Sequence, residues 1–161
     1  MSDDDAPVPD PGPTPGGVPG TRATGGCLCG GVRYRVTGPL RPAVGCHCEM
    51  CRRTSGHHVV ATACLPEHLV LESGGTLTWY RSSPSARRGF CGTCGGNLFW
   101  APDAETHVSI MAGTLDMPSG LTLVGHIHVA GKGDYFELDP ALPAFAGDEP
   151  EDYGWLKGGW S

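Results

Sequence analysis

Apolar residues in this chain come in short runs broken by glycine and proline, and few of those runs are long enough for a helix. Val32-Arg33-Tyr34-Arg35-Val36 alternates apolar and polar positions, the period of a half-buried strand. Residues 58–63 and 69–71 are short apolar runs, while 77–80 and 97–100 are rich in β-forming side chains. The stretch 107–111 alternates again, with Val108 and Ile110 on one face. Residues 121–129 predict the longest strand and 134–138 a further one. Gly74-Gly75, Gly95-Gly96, Pro102-Asp103 and Gly131-Lys132-Gly133 supply the turns. No segment carries a 3.6-residue apolar stripe over three turns; a short helical turn after Cys48 is the expected exception. The pattern predicts an all-β body of sandwich or barrel-like type.

Composition divides the chain of 161 residues into three parts. Residues 1–23 are dominated by Pro, Gly and Asp and offer too little apolar surface to offset their ordering entropy, so a disordered tail is expected there. Residues 24–146 form a single domain, and 147–161 form a Gly-rich acidic extension whose Tyr153, Trp155 and Trp160 could dock back. The net charge of −6 sits mainly in the two ends, leaving the body close to neutral. That is no nucleic-acid footprint; Arg52-Arg53 with Arg87-Arg88 come nearest to a basic patch. No apolar run approaches the ~20 residues that cross a bilayer, so no membrane partner is expected. Asp3, Asp4 and Asp5 stand where a signal peptide would carry Lys or Arg, which predicts a cytoplasmic protein. A reducing compartment shifts the reading of eight cysteines from disulfides toward metal.

Seven of those cysteines fall into three groups, Cys27-x-Cys29, Cys46-x-Cys48-x-x-Cys51 and Cys91-x-x-Cys94. Zinc takes thiolates at ~2.3 Å in tetrahedral geometry, and closely spaced cysteines on turns converge on one ion. A lone CxxC has a redox alternative, but no βαβ setting surrounds this one. Structural zinc is closed by four protein ligands, and catalytic zinc keeps three. Four plus three uses every cysteine of the groups. Cys27, Cys29, Cys91 and Cys94 would form the closed site, and Cys46, Cys48 and Cys51 the open one. His47 could instead serve as a ligand, although the middle side chain of Cys-x-Cys normally points away. Cys64, in an apolar run, reads as a small buried hydrophobe. His126 and His128 alternate on one strand face and read as lining or packing residues, while His57, His58, His68 and His107 carry no signal.

Three blocks carry a resemblance. They are Gly25-Gly26-Cys27-Leu28-Cys29-Gly30-Gly31-Val32-Arg33-Tyr34, then Cys46-His47-Cys48-Glu49-Met50-Cys51-Arg52-Arg53-Thr54-Ser55-Gly56, then Arg88-Gly89-Phe90-Cys91-Gly92-Thr93-Cys94-Gly95-Gly96-Asn97-Leu98. They resemble the glutathione-dependent formaldehyde-activating family, which also includes centromere-protein-V-like domains. Gly125-His126-Ile127-His128-Val129 with Leu142-Pro143-Ala144-Phe145 resembles its final strands. The resemblance implies a β-sheet fold of the Mss4-like type. It implies a structural zinc on Cys27, Cys29, Cys91 and Cys94, and a second zinc on Cys46, Cys48 and Cys51 at which a thiol binds. The implied activity adds a low-molecular-weight thiol, glutathione or an analogue, to formaldehyde, formally a carbon–sulfur lyase in reverse.

Three cysteine thiolates already cancel the charge of a zinc ion, so thiol positioning is expected here rather than strong carbonyl activation. Arg52 and Arg53, beside the last cysteine, are the expected partners of a thiol substrate's carboxylate, with Arg87 and Arg88 behind them. Two rival readings remain. One is a non-catalytic zinc-stabilised interaction module, favoured if Cys64 or a histidine closes the second site. The other is an iron-binding electron carrier.

Overall fold

The computed structural model of the protein describes residues 20–150; most of the expected N-terminal tail, residues 1–19, and residues 151–161 of the expected extension lie outside that range. Ten strands and one short α-helix are found among the described residues. In chain order these are β1 (Ala23–Gly26), β2 (Arg33–Val36), β3 (Ala43–Cys46), α1 (Glu49–Ser55), β4 (Val59–Cys64), β5 (Leu69–Ser73), β6 (Leu77–Ser83), β7 (Ala86–Cys91), β8 (Asn97–Pro102), β9 (Val108–Met111) and β10 (Leu123–Ile127). A three-stranded sheet runs β1-β2-β5, and a seven-stranded sheet runs β10-β3-β4-β9-β8-β7-β6. All pairings are antiparallel except β10 with β3, where His126 stands opposite Gly45 and Ile127 opposite Cys46. No helix among the described residues is long and apolar enough to cross a membrane.

The two faces of the large sheet do different work, because successive side chains of a strand point to opposite sides. One face packs on the small sheet. Val32, Tyr34 and Val36 of the β2 region meet Cys64, Leu98, Phe99 and Ile110, all essentially closed to solvent. Tyr34 sets its ring edge-on to Phe99 at 5.2 Å and brings its hydroxyl within 2.7 Å of Thr114 Oγ1, so its polar tip is satisfied inside the core. The opposite face collects Val59, Ala61 and Met111 with Cys51 of α1. Cys64 is the buried hydrophobe expected, its thiol pushed up to about 12 by burial.

Two expected elements differ. The predicted strand over 121–129 is only Leu123–Ile127, because His128 turns into the left-handed region at φ 54 and a 3₁₀ turn follows. His126 and His128 therefore do not share a strand face. Residues 134–138 form no strand. Their backbone is held instead by Lys132, whose Nζ donates to the carbonyls of Gly133 at 2.8 Å and of Phe136.

Candidate metal centres and cavity

The first sulfur group forms where the two sheets meet. Cys27 follows β1 and Cys29 lies in the turn into β2, while Cys91 ends β7 and Cys94 sits in the turn into β8. Gly30 and Gly95 close these turns at φ 79 and φ 74, conformations that a side chain resists. The sulfurs of Cys27, Cys29, Cys91 and Cys94 all lie within 4.8 Å of one another. Cys27 Sγ to Cys29 Sγ and Cys29 Sγ to Cys91 Sγ are both 3.7 Å, far beyond a disulfide bond of ~2.05 Å. Four thiolates at ~2.3 Å from a tetrahedral zinc stand ~3.8 Å apart, so the donor set and its spacing fit that ion. The amides of Val32 and Cys94 donate to Cys27 Sγ at 3.2 Å and Cys91 Sγ at 3.5 Å. The Cys91 thiol is pulled down to about 6, first by Thr76 and then by backbone amides.

The second group is local in sequence. Cys46 ends β3, Cys48 caps α1 and Cys51 lies in its first turn. Cys48 Sγ accepts the Cys51 amide at 3.4 Å, the role that an oxygen normally plays at an N-cap. Gly56 ends the helix at φ 80, its amide bonded to the Arg52 carbonyl. The three sulfurs also lie within 4.8 Å of one another, and no further histidine, cysteine or carboxylate among the described residues joins them within that span. All three line a cavity of about 300 Å³ on the outer face of the large sheet, whose wall contains none of the first four cysteines. The Cys51 thiol is drawn down to about 6 by Cys46 and, after it, by Arg88, while Cys46 is pushed up by the same partnership and by burial.

The arginines fall otherwise than sequence adjacency suggests. Arg52 donates through Nε to the Gly131 carbonyl at 3.2 Å, tying α1 to the loop after β10. Arg53 pairs with Glu49 one helical turn back at 2.8 Å. Neither lines the cavity, whose guanidinium groups are Arg41 and Arg88. Arg88 is 5% exposed, with Nη2 3.6 Å from Cys51 Sγ. Its neighbour Arg87 points to the other side and lies over the Trp79 ring. Arg41 is 3% exposed and bonds the Ala61 carbonyl through Nη2, leaving Nε and Nη1 without a hydrogen-bond partner among the described residues. Burial pulls Arg41 down to about 10, with the charge of Glu149 opposing. At the rim, His128 Nε2 meets Asp148 Oδ1 at 2.9 Å, and both residues line the cavity.

Behind the second group stands a cluster that the sequence did not disclose. His47 turns away from the cysteines and its Nε2 lies 2.9 Å from His126 Nδ1, both rings buried. His58 stacks on His47 at 4.3 Å and an interplanar angle of 18°, and Phe136 stacks on His58 in turn. Ring nitrogens of the three histidines come within 4.8 Å. His47 and His58 stack, and His47 Nε2 is engaged by His126 Nδ1, so the trio reads as a packed, hydrogen-bonded cluster rather than a convergent ligand set. Burial lowers all three, His47 to about 4.

Fold and site together define an all-β protein with two separate thiol sites, each of a composition suited to a metal ion. Residues 22–131 match the family described as glutathione-dependent formaldehyde-activating enzyme. An uncharacterized lyase of Schizosaccharomyces pombe is 26% identical over 126 residues, covering 78% of this chain and 91% of the relative. A Halomonas elongata protein named as a candidate glutathione-dependent formaldehyde-activating enzyme is 29% identical over 128 residues, covering 71% of this chain and 80% of its own length. The crystal structure of a Rhodobacter sphaeroides protein aligns with a TM-score of 0.51 at 26% identity, over 58% of this chain and 88% of that one. The chain belongs to the glutathione-dependent formaldehyde-activating enzyme family, and its class is that of an enzyme of lyase type. Its fold is the all-β, Mss4-like one that the sequence blocks imply.

Proposed function

We propose that the protein is a carbon–sulfur lyase-type enzyme that forms and breaks the adduct of a small thiol with formaldehyde in the cavity beside Cys46, Cys48 and Cys51. The observation that carries this reading is the asymmetry of the two sulfur groups. Four cysteines form one set outside the cavity, and three form the other within its wall. Cys27, Cys29, Cys91 and Cys94 would hold a structural zinc and Cys46, Cys48 and Cys51 a second. Zinc held by the three would supply an acceptor position at which an incoming thiol is favoured as its thiolate. The reaction itself is simple. The thiol loses its S–H proton, its sulfur pair bonds to the carbonyl carbon, and the carbonyl π pair passes to oxygen, which takes up one proton; the reverse direction breaks the same carbon–sulfur bond and returns a proton to sulfur.

The chain's own residues would bind and orient. A volume of about 300 Å³ stands at the small end of ligand pockets and suits a peptide-sized thiol. Val44, Val59, Ala61, Trp100, Met111 and Ile127 give an apolar wall that limits water. Arg41, with two unpartnered nitrogens, would meet a carboxylate of the substrate in place of Arg52 or Arg53. The rival interaction module needed closure of the second site. Cys64 packs on the other face of the sheet and His47 is engaged with His126, so neither supports that reading. Exchange spectroscopy by NMR on formaldehyde with a panel of thiols tests the proposal. Adduct exchange faster than in buffer, lost in Cys48→Ser, is expected; a protein with two zinc ions that leaves exchange unchanged for every thiol would overturn it.

A further inference from the structure

Charge separates the two sulfur groups more sharply than their ligand number does. A dication on four cysteine thiolates leaves two negative charges, and a dication on three thiolates reaches the same total once an external thiolate joins. Charge of that size, away from bulk water, needs compensation. The four-cysteine group meets it with solvent, since Cys29 is exposed, and with backbone: the amides of Val32 and Cys94 reach its sulfurs, and among the described residues no side-chain cation hydrogen-bonds to them. At the three-cysteine group one amide, that of Cys51, is joined by a guanidinium.

Strand register places that guanidinium. Pairing sets Arg88 opposite Tyr80 on one side and Trp100 on the other, and the alternation along β7 turns it toward α1. Its Nη2 reaches Cys51 Sγ at 3.6 Å, its Nε has no hydrogen-bond partner, and no carboxylate among the described residues forms an ion pair with it. A buried cation that stands beside a sulfur and lines the cavity is suited to sharing its charge with an anion there.

Resting on the reading of an open three-cysteine centre, we propose that Arg88 determines which ligand that centre accepts. Its charge lets an anionic sulfur bind as the fourth ligand in preference to a neutral donor. Arg88 acts on selectivity, both through Cys51 and toward the incoming sulfur, and carries no proton in the reaction.

The test uses the zinc-loaded full chain in calorimetric titrations, with absorption of the cobalt-loaded chain reporting direct ligation. Two probes are compared. 2-Mercaptoethanol binds as a thiolate and has no carboxylate for Arg41, and imidazole is a neutral donor. Arg88→Met should weaken 2-mercaptoethanol roughly tenfold or more while imidazole changes by less than about twofold. Arg88→Lys, keeping the charge, should recover much of the loss. Arg88→Gln, neutral and of similar reach, serves where the Met variant does not fold. Equal weakening of both probes would make Arg88 a structural residue and overturn the inference, as would unchanged binding of both. If the wild-type chain binds neither probe, the open centre itself falls and takes this inference with it. Thiol binding that survives in wild type yet ignores Arg88 leaves the centre standing and removes only the selectivity role.

Discussion

The two sulfur groups are built from the same side chain and set in opposite surroundings. Cys27, Cys29, Cys91 and Cys94 come from turns far apart in sequence and join the small sheet to the large one at the edge of the main core, where Cys91 is fully buried. Cys46, Cys48 and Cys51 come from a single strand-to-helix connection and face a cavity on the other side of the same sheet. Long-range ligation ties stability to metal, since no such site exists in the unfolded chain. Short-range ligation asks little of the rest of the fold and leaves room for a small molecule. Under the function proposed above, difference in sequence span, more than in ligand count, is what would separate a clamp from a reaction site.

The widest gap should appear on removing one sulfur from each group. Cys91→Ala is expected to lose the soluble, cooperatively melting protein, because it opens the clamp and leaves a void in the core. Cys48→Ser keeps a side-chain acceptor at the helix N-cap and should shift the melting temperature by no more than about 5 °C while abolishing thiol binding. Thermal melts by circular dichroism decide it; equal collapse of both variants would break the division of labour. Next in size is metal release. Purified protein should contain about two zinc ions per chain. A competing chelator should strip one with the fold retained and the second only as the protein unfolds. Simultaneous loss of both would erase the contrast.

Substrate recognition sharpens the cavity side of the comparison. Arg41→Met should raise KM for a carboxylate-bearing thiol roughly tenfold, with little change in kcat and none for 2-mercaptoethanol. Arg52→Ala and Arg53→Ala should change KM less than about twofold, as expected of residues bonded elsewhere. The smallest effect concerns acid. Burial holds His47, His58 and His126 below the ordinary imidazole value in the folded protein. The unfolded chain therefore binds more protons, so the stability they contribute is present above pH 6.5 and is lost as pH falls toward about 4. His58→Phe keeps the stack and removes one titrating ring. Melting temperature followed from about pH 7 to about pH 5 should fall less steeply in this variant. An identical slope would mean the cluster does not contribute to acid sensitivity.

Much of this architecture was legible in period and spacing. Alternation over 32–36 and 107–111, and the β-formers at 77–80 and 97–100, each correspond to an observed strand. The strands without a signal are β1, β3 and β7, whose sequences ATGG, AVGC and ARRGFC lack an apolar alternation. Neighbouring strands supply what their own side chains do not. The cysteine groups came together as their spacing implied, because thiol donors in tight turns have few other uses. The arginines did not follow adjacency. Arg88 reaches Cys51 from β7, 37 positions along the chain, and Arg41 reaches the cavity from the approach to β3, relations that exist only after folding. His47, His58 and His126 likewise meet through the parallel pairing of β10 with β3, where Gly45 leaves space that any side chain would deny to the His126 ring.

The placing of the four-cysteine group at the sheet junction has a consequence for how this scaffold can change over generations. Because that group lines none of the cavity, changes confined to cavity-facing side chains could retune or remove the proposed thiol site while the main core on the other face keeps its packing. Descendants that kept the four outer cysteines while losing one of the inner three would be sound proteins freed for another occupation.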